Sequence, residues 1–253
     1  MLSQYGKDFI KILHNLKPSK NAYEVFSDWL IMTAATLYAW KKDENVEKEF
    51  EEIAKQYTKE EIQKHAQLLA ITVNALEEKI HDFLGEVFTF AELSNNKKGQ
   101  FFTPYHISFM MAKMMIENEK PKQRVFQIND PTCGAGGMLV ACIQVLKEQE
   151  FPFQQEAIFI GQDIDPRCAR MAFIQLSLLA APAIIICGNT LTMETYWKRE
   201  TIGYHMAGME FRLKIEAMLS IIENPEKAMS AQIEEKPIGI KEPRIEMIQG
   251  ELF

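Results

Sequence analysis

The sequence predicts an α/β fold, in which a doubly wound parallel sheet is preceded by an all-α N-terminal domain. From Met1 to Leu93, apolar residues recur every three or four positions and Gly and Pro are nearly absent, which is typical of helices. From Val125 to Cys187, short apolar runs alternate with helical segments in the order β-α-β-α-β, and this alternation favours parallel strands joined by helical crossovers. We therefore expect a helical domain (1–95), an α/β domain (96–222) and a charged tail (223–253).

Three or four helices are expected in the N-terminal domain. The predicted breaks between them are Lys17–Ser19, the charged run Lys41–Glu52, and Tyr57–Glu61. Thr58 followed three residues later by Glu61 fits a capping box, so a helix is expected to begin there. The charged residues Glu47–Glu52 are interpreted as a solvated helix face.

The α/β domain is expected to follow a polar loop at Ser94–Gly99. Its predicted elements, in order, are strand Val125–Asp130, helix Met138–Lys147, strand Ile158–Asp163, helix Pro166–Ala180 and strand Ala183–Cys187. After Gly188 the alternation stops, because Met206–Ile222 has the pattern of a helix, and the sheet is expected to be cut short. The Glu-, Lys- and Pro-rich remainder predicts an extended or partly disordered tail.

Composition excludes several classes of protein. The 253 residues are 47% hydrophobic, which is enough for a core, yet no stretch approaches the roughly 20 apolar residues of a membrane-spanning helix. The net charge of −7 has the wrong sign for holding nucleic acid by bulk electrostatics, so any such contact must be local or shared with a partner.

The cysteines have neither metal-ligand nor secreted-disulfide spacing, which predicts reduced, mostly buried thiols, no metal site and a cytoplasmic protein. They are Cys133, Cys142, Cys168 and Cys187.

A glycine-rich turn follows the first predicted strand, in Asn129–Gly137 (NDPTCGAGG). Gly134, Gly136 and Gly137 allow positive φ and close approach of a ligand to the backbone, and the N–H groups of the following helix start can bind a carboxylate. In a doubly wound sheet, this turn borders the ligand-binding crevice. The alternative is a tight turn that needs glycine only for its conformation.

Two acidic residues follow the second predicted strand. Asp163 lies where a carboxylate can accept hydrogen bonds from both hydroxyls of a ribose. Asp165 precedes Pro166 and fits a helix N-cap with proline at the first helical position. We therefore interpret Asp163 as a binding residue and Asp165 as a structural one.

Three motifs follow the helical domain in a characteristic order: Gly99–Pro104 (GQFFTP), Asp130–Gly137 (DPTCGAGG) and Gly161–Pro166 (GQDIDP). Together they resemble the N6-adenine DNA methyltransferases, in particular the modification subunits of type I restriction systems. The resemblance covers about Met1 to Leu191. It implies a Rossmann-like methyltransferase fold, S-adenosylmethionine as the cofactor, adenine in DNA as the substrate, and a specificity or restriction subunit as the partner.

The resemblance also implies a role for individual positions. The implied cofactor-binding residues are Phe102, Thr103 and Pro104 against the methionine end, Asp130 on the amino group, Thr132, Gly134 and Gly136 in the turn that makes room for it, Asp163 on the ribose, Ile164 on the adenine ring and Asn189 at the adenine edge. For Asn189, the alternative is a turn former beside Gly188.

One motif of that family does not occur in these 253 residues. Its enzymes orient a flipped-out adenine with a segment in which Asn or Asp is followed by Pro-Pro and an aromatic residue. The oxygens of the polar side chain and of the Pro carbonyl accept hydrogen bonds from the adenine amine, and the aromatic ring stacks on the base. The only Asn-Pro here, at Asn224–Glu226, lacks the second Pro and the aromatic and is interpreted as a helix stop. Tyr196, Trp197 and Tyr204 have no suitable acceptors beside them in sequence, so the catalytic residue is left unassigned.

The strand that carries this motif would cover the first strand of the sheet, so that strand is expected to be an exposed edge. The predicted candidates to cover it are the N-terminal helices, a returning segment such as Ile238–Ile248, or another subunit, which includes a second copy of the chain.

A further partner is indicated by Gln249, Leu252 and Phe253, which resemble the short peptide that bacterial replication proteins insert into the sliding clamp. The alternative is an uninvolved tail.

Three functions are consistent with these patterns. The first is a cofactor-binding relative of the adenine methylases that does not transfer methyl groups on its own and acts in DNA modification or anti-restriction. The second is an active methyltransferase completed by a partner subunit. The third is an interaction module with an inactive pocket, against which the joint presence of Thr103, Asp130 and Asp163 argues.

Overall fold

The structure is a computed structural model that describes residues 2–91, 102–116, 126–208 and 212. The described residues all belong to one compact unit, within residues 1–214. The predicted boundary loop, the charged tail and the clamp-like residues Gln249, Leu252 and Phe253 lie outside the described residues.

Five helices form the N-terminal part of this unit. They are α1 (Gln4–His14), α2 (Ala22–Tyr38), α3 (Glu44–Ala54), α4 (Lys59–Glu78) and α5 (Phe83–Phe90), with a short 3-10 turn at Ala39–Lys41. The predicted break at Lys17–Ser19 is confirmed, since it lies between α1 and α2. The capping box is also confirmed, because Thr58 Oγ1 accepts from the Glu61 N–H and the Glu61 carboxylate accepts from the Thr58 N–H.

The predicted break at Lys41–Glu52 is wrong beyond Asp43, because α3 forms there. Together with an unpredicted break between α4 and α5 at residues 79–82, this gives five helices in place of the expected three or four. Asp43 caps α3 by accepting from the N–H groups of Asn45 and Val46. Val46 is buried, so the charged run forms an amphipathic helix with one face toward the core. The acidic residues hid this periodicity in the sequence.

The second part of the unit is a four-stranded sheet with helices in its connections. After α6 (Tyr105–Ile116), the elements are β1 (Phe126–Asp130), α7 (Gly137–Glu148), α8 (Phe153–Glu156), β2 (Ala157–Asp163), α9 (Pro166–Leu178), β3 (Ala183–Asn189), β4 (Glu194–Glu200) and α10 (Ile202–Met206). The strand order is β1-β2-β3-β4, and β1, β2 and β3 are parallel. The predicted α/β architecture and its first three strands are therefore confirmed.

The β-α alternation stops after β3 as predicted, because β4 follows without an intervening helix, but the sheet does not end there, since β4 pairs antiparallel with β3. The buried residue near the end of β4 is Arg199, which is 6% exposed and lies opposite Ile185. Its guanidinium lies over the Trp197 ring, 4.8 Å from the ring centroid, and its Nη2 is 3.5 Å from Oε2 of Glu49. A buried position occupied by a charged residue removes the apolar alternation by which a strand is recognised in sequence.

Glu49 also corrects the interpretation of Glu47–Glu52 as a solvated face. Its Oε1 is 2.5 Å from Nη2 of Arg170 in α9, so one carboxylate of α3 pairs with two arginines of the sheet region. Burial, and secondarily the nearby Arg170, lowers the pKa of Arg199. Pairing of this kind offsets the cost of burying a guanidinium.

One hydrophobic cluster runs through both parts of the unit. It includes Phe9 and Trp29 of the helical part together with Phe159, Phe173 and Ile185 of the sheet region. Helix α9 lies between them, because the Phe173 ring meets the Tyr38 ring edge-on at 5.9 Å. The helical part therefore shares its core with the sheet.

Strand β1 is at the edge of the sheet within the described residues, where it pairs only with β2. Among the described residues, no helix is long and apolar enough to cross a membrane.

Candidate functional site

The carboxyl ends of three parallel strands bring the predicted polar residues to one edge of the sheet. Asp130 is the last residue of β1, Asp163 the last of β2 and Asn189 the last of β3. In the pairing register, Asp130 lies beside Gly161 and Asp163 beside Cys187, so each strand ends two residues beyond its neighbour at the same edge of the sheet. Ligands of doubly wound sheets bind at this edge.

The glycine turn between β1 and α7 uses left-handed backbone at two positions. Gly134 has φ +55° and Gly136 has φ +91°, a region that residues with a Cβ atom rarely adopt. Both are also crowded, because a Cβ on Gly134 would lie 3.0 Å from Cε1 of Phe102 and one on Gly136 would lie 3.1 Å from Cβ of Ala172. These two glycines are therefore required by both conformation and space.

Asp163 ties the glycine turn to the end of β2. Its Oδ2 accepts from the Gly134 N–H at 2.9 Å, and its Oδ1 accepts from the Asp165 N–H at 2.8 Å. The backbone adds a third link, in which the Cys133 N–H donates to the Gln162 carbonyl at 2.8 Å. Burial raises the pKa of Asp163, and the two backbone N–H donors oppose that shift.

Asp130 accepts fewer backbone hydrogen bonds than Asp163. Its Oδ1 accepts from the N–H of Thr132 at 3.1 Å, and Thr132 itself is exposed. Burial raises the pKa of Asp130, opposed only by this backbone bond. The turn gains one more tether when the Thr190 hydroxyl donates to the Pro131 carbonyl at 2.6 Å, which joins the β3–β4 connection to the loop after β1.

Phe102, Thr103 and Pro104 lead into α6 beside the glycine turn. The Phe102 ring packs against Phe88 of α5 with 5.5 Å between centroids, and it lies directly under Gly134. Thr103 and Pro104 are exposed. The structure thus brings Phe102 of the first predicted motif next to Gly134 of the second, although the two residues are 32 positions apart in the sequence.

At this edge, the Ile164 side chain is exposed, whereas the Asn189 side chain is hydrogen-bonded within a turn. The Ile164 side chain is 55% exposed, which leaves an apolar surface beside Asp163. The Asn189 side-chain oxygen accepts from the N–H groups of Leu191 and Thr192 at 3.0 and 3.4 Å, so it stabilises the β3–β4 turn.

Asp165 is confirmed as the N-cap of α9. Its carboxylate accepts from the Arg167 N–H at 2.9 Å and pairs with the Arg167 guanidinium, while Pro166 is the first helical residue. Sequence reasoning missed two residues that shape the turn from behind, Ala172 and Phe88. Both follow the ordinary apolar pattern of a helix, so no local signal distinguishes them.

The four cysteines are free and buried, as expected. Burial raises the pKa of each thiol, to about 12 for Cys142 and about 11 for Cys187. Such thiols are poor nucleophiles and poor metal ligands. In the described part of the chain, no group of three or more His, Cys, Asp or Glu side chains is arranged to hold a metal ion.

Comparison with known proteins gives one family and a few distant relatives. The model of the N-6 DNA Methylase family matches residues 78–236. A type I restriction enzyme methylase subunit, MjaIX of Methanocaldococcus jannaschii, is 24% identical over 110 residues, which are 42% of this chain and 18% of that protein. The chain thus spans less than a fifth of the length of that curated relative.

Two solved structures align with this chain at low similarity. A protein of Listeria monocytogenes, solved as a class I S-adenosylmethionine-dependent methyltransferase, superimposes with a TM-score of 0.42 at 18% identity, over 71% of this chain and 52% of that one. The type I restriction-modification methyltransferase subunit of Streptococcus thermophilus gives a TM-score of 0.37 at 14% identity, over 71% and 55%. At these TM-scores, neither superposition adds to what the strand order already establishes.

The family match is of a different weight, because it covers more than half of the chain. It also contains every residue of the site, from Phe102 to Asn189. This chain belongs to the N-6 DNA methylase family.

Proposed function

We propose that this chain binds S-adenosylmethionine at the carboxyl ends of β1, β2 and β3 and takes part in N6-adenine methylation of DNA. The observation that carries the proposal is the convergence of Asp130, Asp163 and the left-handed turn at Gly134–Gly136 at one edge of the sheet. Family membership supplies the reaction class.

The residues present fit the proposed cofactor in shape and chemistry. Gly134 and Gly137 are half-buried, and α7 begins at Gly137, where the first N–H groups of the helix favour a carboxylate. Thr103 and Pro104 are exposed and directly follow Phe102, whose ring packs under Gly134, so we propose that they contact the methionine end. When bound, S-adenosylmethionine supplies an electrophilic methyl group, and the protein binds and orients the partners of the transfer.

Asp163 is suited to bind the ribose because it is already oriented. Each of its carboxylate oxygens accepts one backbone N–H, which leaves each oxygen a second lone pair for a hydroxyl. A carboxylate fixed in this way loses little conformational entropy when a ribose binds. Ile164, more than half exposed, offers an apolar surface for the adenine ring next to it.

Asp130 would bind the amino group of the methionine part. An ammonium group beside a half-buried carboxylate favours its ionised form, which burial alone disfavours. Binding of the cofactor would therefore lower the pKa of Asp130. For Asn189, contact with the adenine edge remains a proposal, since its oxygen serves the β3–β4 turn.

We further propose that the groups that orient the target adenine lie outside these 253 residues. The sequence has no Asn/Asp-Pro-Pro-aromatic segment, and the chain corresponds to less than a fifth of the M. jannaschii subunit. DNA, together with a specificity or restriction subunit, is the proposed partner. The net charge of −7 agrees with DNA contact that is shared rather than made by this chain alone. Four buried reduced thiols support a cytoplasmic location.

The deciding experiment is isothermal titration of the chain with S-adenosylmethionine, followed by a methyl-transfer assay on unmethylated DNA in the same samples. Asp163→Ala is expected to weaken binding more than tenfold, because a charged hydrogen-bonding group worth about 1.5–3 kcal/mol is removed. The matched control is Asp8→Ala, which removes an exposed carboxylate from α1.

Each outcome has a distinct meaning. Binding without transfer supports the proposal in full, and transfer by the chain alone would show that the adenine-orienting groups lie within it. Absence of binding, or equal binding by Asp163→Ala and wild type, would contradict the proposed site.

A further inference from the structure

A buried polar network lies behind the glycine turn and connects it to α5 and α9. We propose that Gln175 of α9 and Asp82 at the start of α5 are positioning residues, which hold the Ala135–Gly136 peptide in the orientation that the cofactor site requires. This inference deepens the proposed function and rests on it for the identity of the ligand. The network itself is a property of the protein without ligand.

Gln175 is fully buried, with 0% exposure, and its carboxamide is bonded at both ends. Its Nε2 donates to the Ala135 carbonyl at 2.9 Å and to Oδ1 of Asp82 at 2.8 Å. Its Oε1 accepts from the Leu84 N–H at 3.1 Å. One side chain therefore joins three elements, and no apolar residue of the same length can replace these bonds.

Asp82 is 5% exposed and completes the network from α5. Its Oδ1 also accepts from the Gly85 N–H at 3.0 Å, as the N-cap of that helix. Its Oδ2 lies so close to the first residue of α7 that a Cβ on Gly137 would be 2.7 Å away. Burial raises the pKa of Asp82, and the bonds from Gln175 and Gly85 oppose the shift.

The bond to Ala135 fixes one particular peptide group. The carbonyl of the Ala135–Gly136 peptide accepts from Gln175, while its N–H donates to the Cys133 carbonyl at 2.8 Å. This peptide joins Ala135 to Gly136, whose φ is +91°. Because Gly136 has no Cβ, rotation of the peptide on that side costs little sterically, so the two hydrogen bonds select its orientation.

The same peptide adjoins the residues assigned to the cofactor. The Gly134 N–H donates to Asp163 on one side, and Gly136 is the N-cap of α7 on the other. A rotated peptide would turn its carbonyl toward the space where backbone N–H groups are needed for an anionic ligand. Gln175 and Asp82 thus act on binding through the turn, without touching the ligand.

The test compares Gln175→Met, which keeps the side-chain length and removes all three bonds, with Thr201→Val as a matched control. Thr201 is also fully buried, and its hydroxyl bonds Ala181 and Ala183 at the opposite end of β3. Both variants are expected to unfold at a lower temperature, since each leaves buried polar groups unpaired.

Only Gln175→Met is expected to affect the turn. In the unliganded protein, amide hydrogen exchange of peptides covering residues 131–137 should become faster in Gln175→Met and stay unchanged in Thr201→Val. Measured well below both unfolding temperatures, the Kd for S-adenosylmethionine should rise about tenfold or more in Gln175→Met and stay within about twofold in Thr201→Val.

A conservative variant, Gln175→Glu, keeps the test decisive if Gln175→Met does not fold. A glutamic acid beside Asp82 and the Ala135 carbonyl can donate a hydrogen bond only when protonated. Its Kd relative to wild type should therefore be closer to one at pH 5.5 than at pH 8. A ratio independent of pH would contradict a role for the donated bond.

The inference and the proposed function fail in different ways. If the wild type does not bind S-adenosylmethionine, the proposed function is wrong, while hydrogen exchange still decides whether Gln175 holds the turn. If Gln175→Met changes exchange and binding no more than Thr201→Val does, the positioning role is overturned.

Discussion

Replacement of Gly136 by alanine is the sharpest test of the geometry of the turn. At φ +91°, an L residue is strained by roughly 1–2 kcal/mol. The new methyl group would also lie 3.1 Å from Cβ and 3.2 Å from Cα of Ala172, and overpacking of this kind costs about 1–3 kcal/mol. We expect Gly136→Ala to lower the free energy of unfolding by about 2–5 kcal/mol.

The two contributions can be separated by a double-mutant cycle in urea unfolding. Ala172→Gly removes the Cβ that the new methyl group would meet, so it should relieve the overpacking and leave the backbone strain. The expected coupling free energy is about 1–2 kcal/mol, with the double variant more stable than the sum of the single changes. Gly208→Ala is the control, because a Cβ there meets nothing within 4 Å. A loss no larger than that of the control, or an absence of coupling, would refute the account of the turn.

Three further predictions follow from burial and ionisation. Asp130→Asn should stabilise the unliganded fold and weaken cofactor binding. Because burial raises the pKa of Asp130, the wild type loses stability as the pH rises from about 4 through that raised pKa. In thermal unfolding, the stability advantage of the variant should therefore grow over this pH window and then stay constant. Burial lowers the pKa of His65 to about 4, so the wild type should lose stability as pH falls from about 6.5, by up to about 1.4 kcal/mol per pH unit, and His65→Phe should remove that slope in urea unfolding. The four thiols should not react with Ellman's reagent at pH 8 in the native protein and should all react in denaturant.

Each of these has a result that contradicts it. A constant difference between Asp130→Asn and wild type from pH 4 to pH 8 would mean that the carboxylate is not desolvated. Equal acid sensitivity of His65→Phe and wild type would assign the loss to other groups. Rapid reaction of even one native thiol would show that its side chain is accessible.

The first three strands could be predicted from the sequence because local patterns determine them. Apolar runs ending at Asp130 and Asp163 and a glycine turn with a helix behind it are all visible within about 60 residues, and the structure reproduces them within one or two positions. The cap at Asp165 and the capping box at Thr58 are equally local. Nearest-neighbour chemistry is sufficient for such features.

The features that sequence reasoning missed depend on distant partners. Strand β4 has a buried arginine, Arg199, whose charge is accommodated by Glu49, 150 positions earlier. In α3, Glu49 lies on the same face as the buried Val46 and the half-buried Ile53, so an acidic residue interrupts the apolar pattern of that face. Gln175 looks like an isolated polar residue in an apolar helix until Leu84 and Ala135 are brought to it. In each case, a polar group is buried because a partner remote in sequence satisfies it.

The predicted domain boundary at residues 95 and 96 stays a prediction, but contacts between distant residues join the helical part to the sheet region. Three links cross from the helical part to α9, namely Phe173 to Tyr38, Arg170 to Glu49 and Gln175 to Leu84. Helix α9 carries Ala172 against Gly136 and Gln175 against Ala135, so it is the element that supports the glycine turn. The same helix therefore needs α2, α3 and α5 on one side and shapes the candidate site on the other. On this packing, the helical part is a structural component of the proposed cofactor site, and changes in α5 should reach the glycine turn through Asp82 and Gln175.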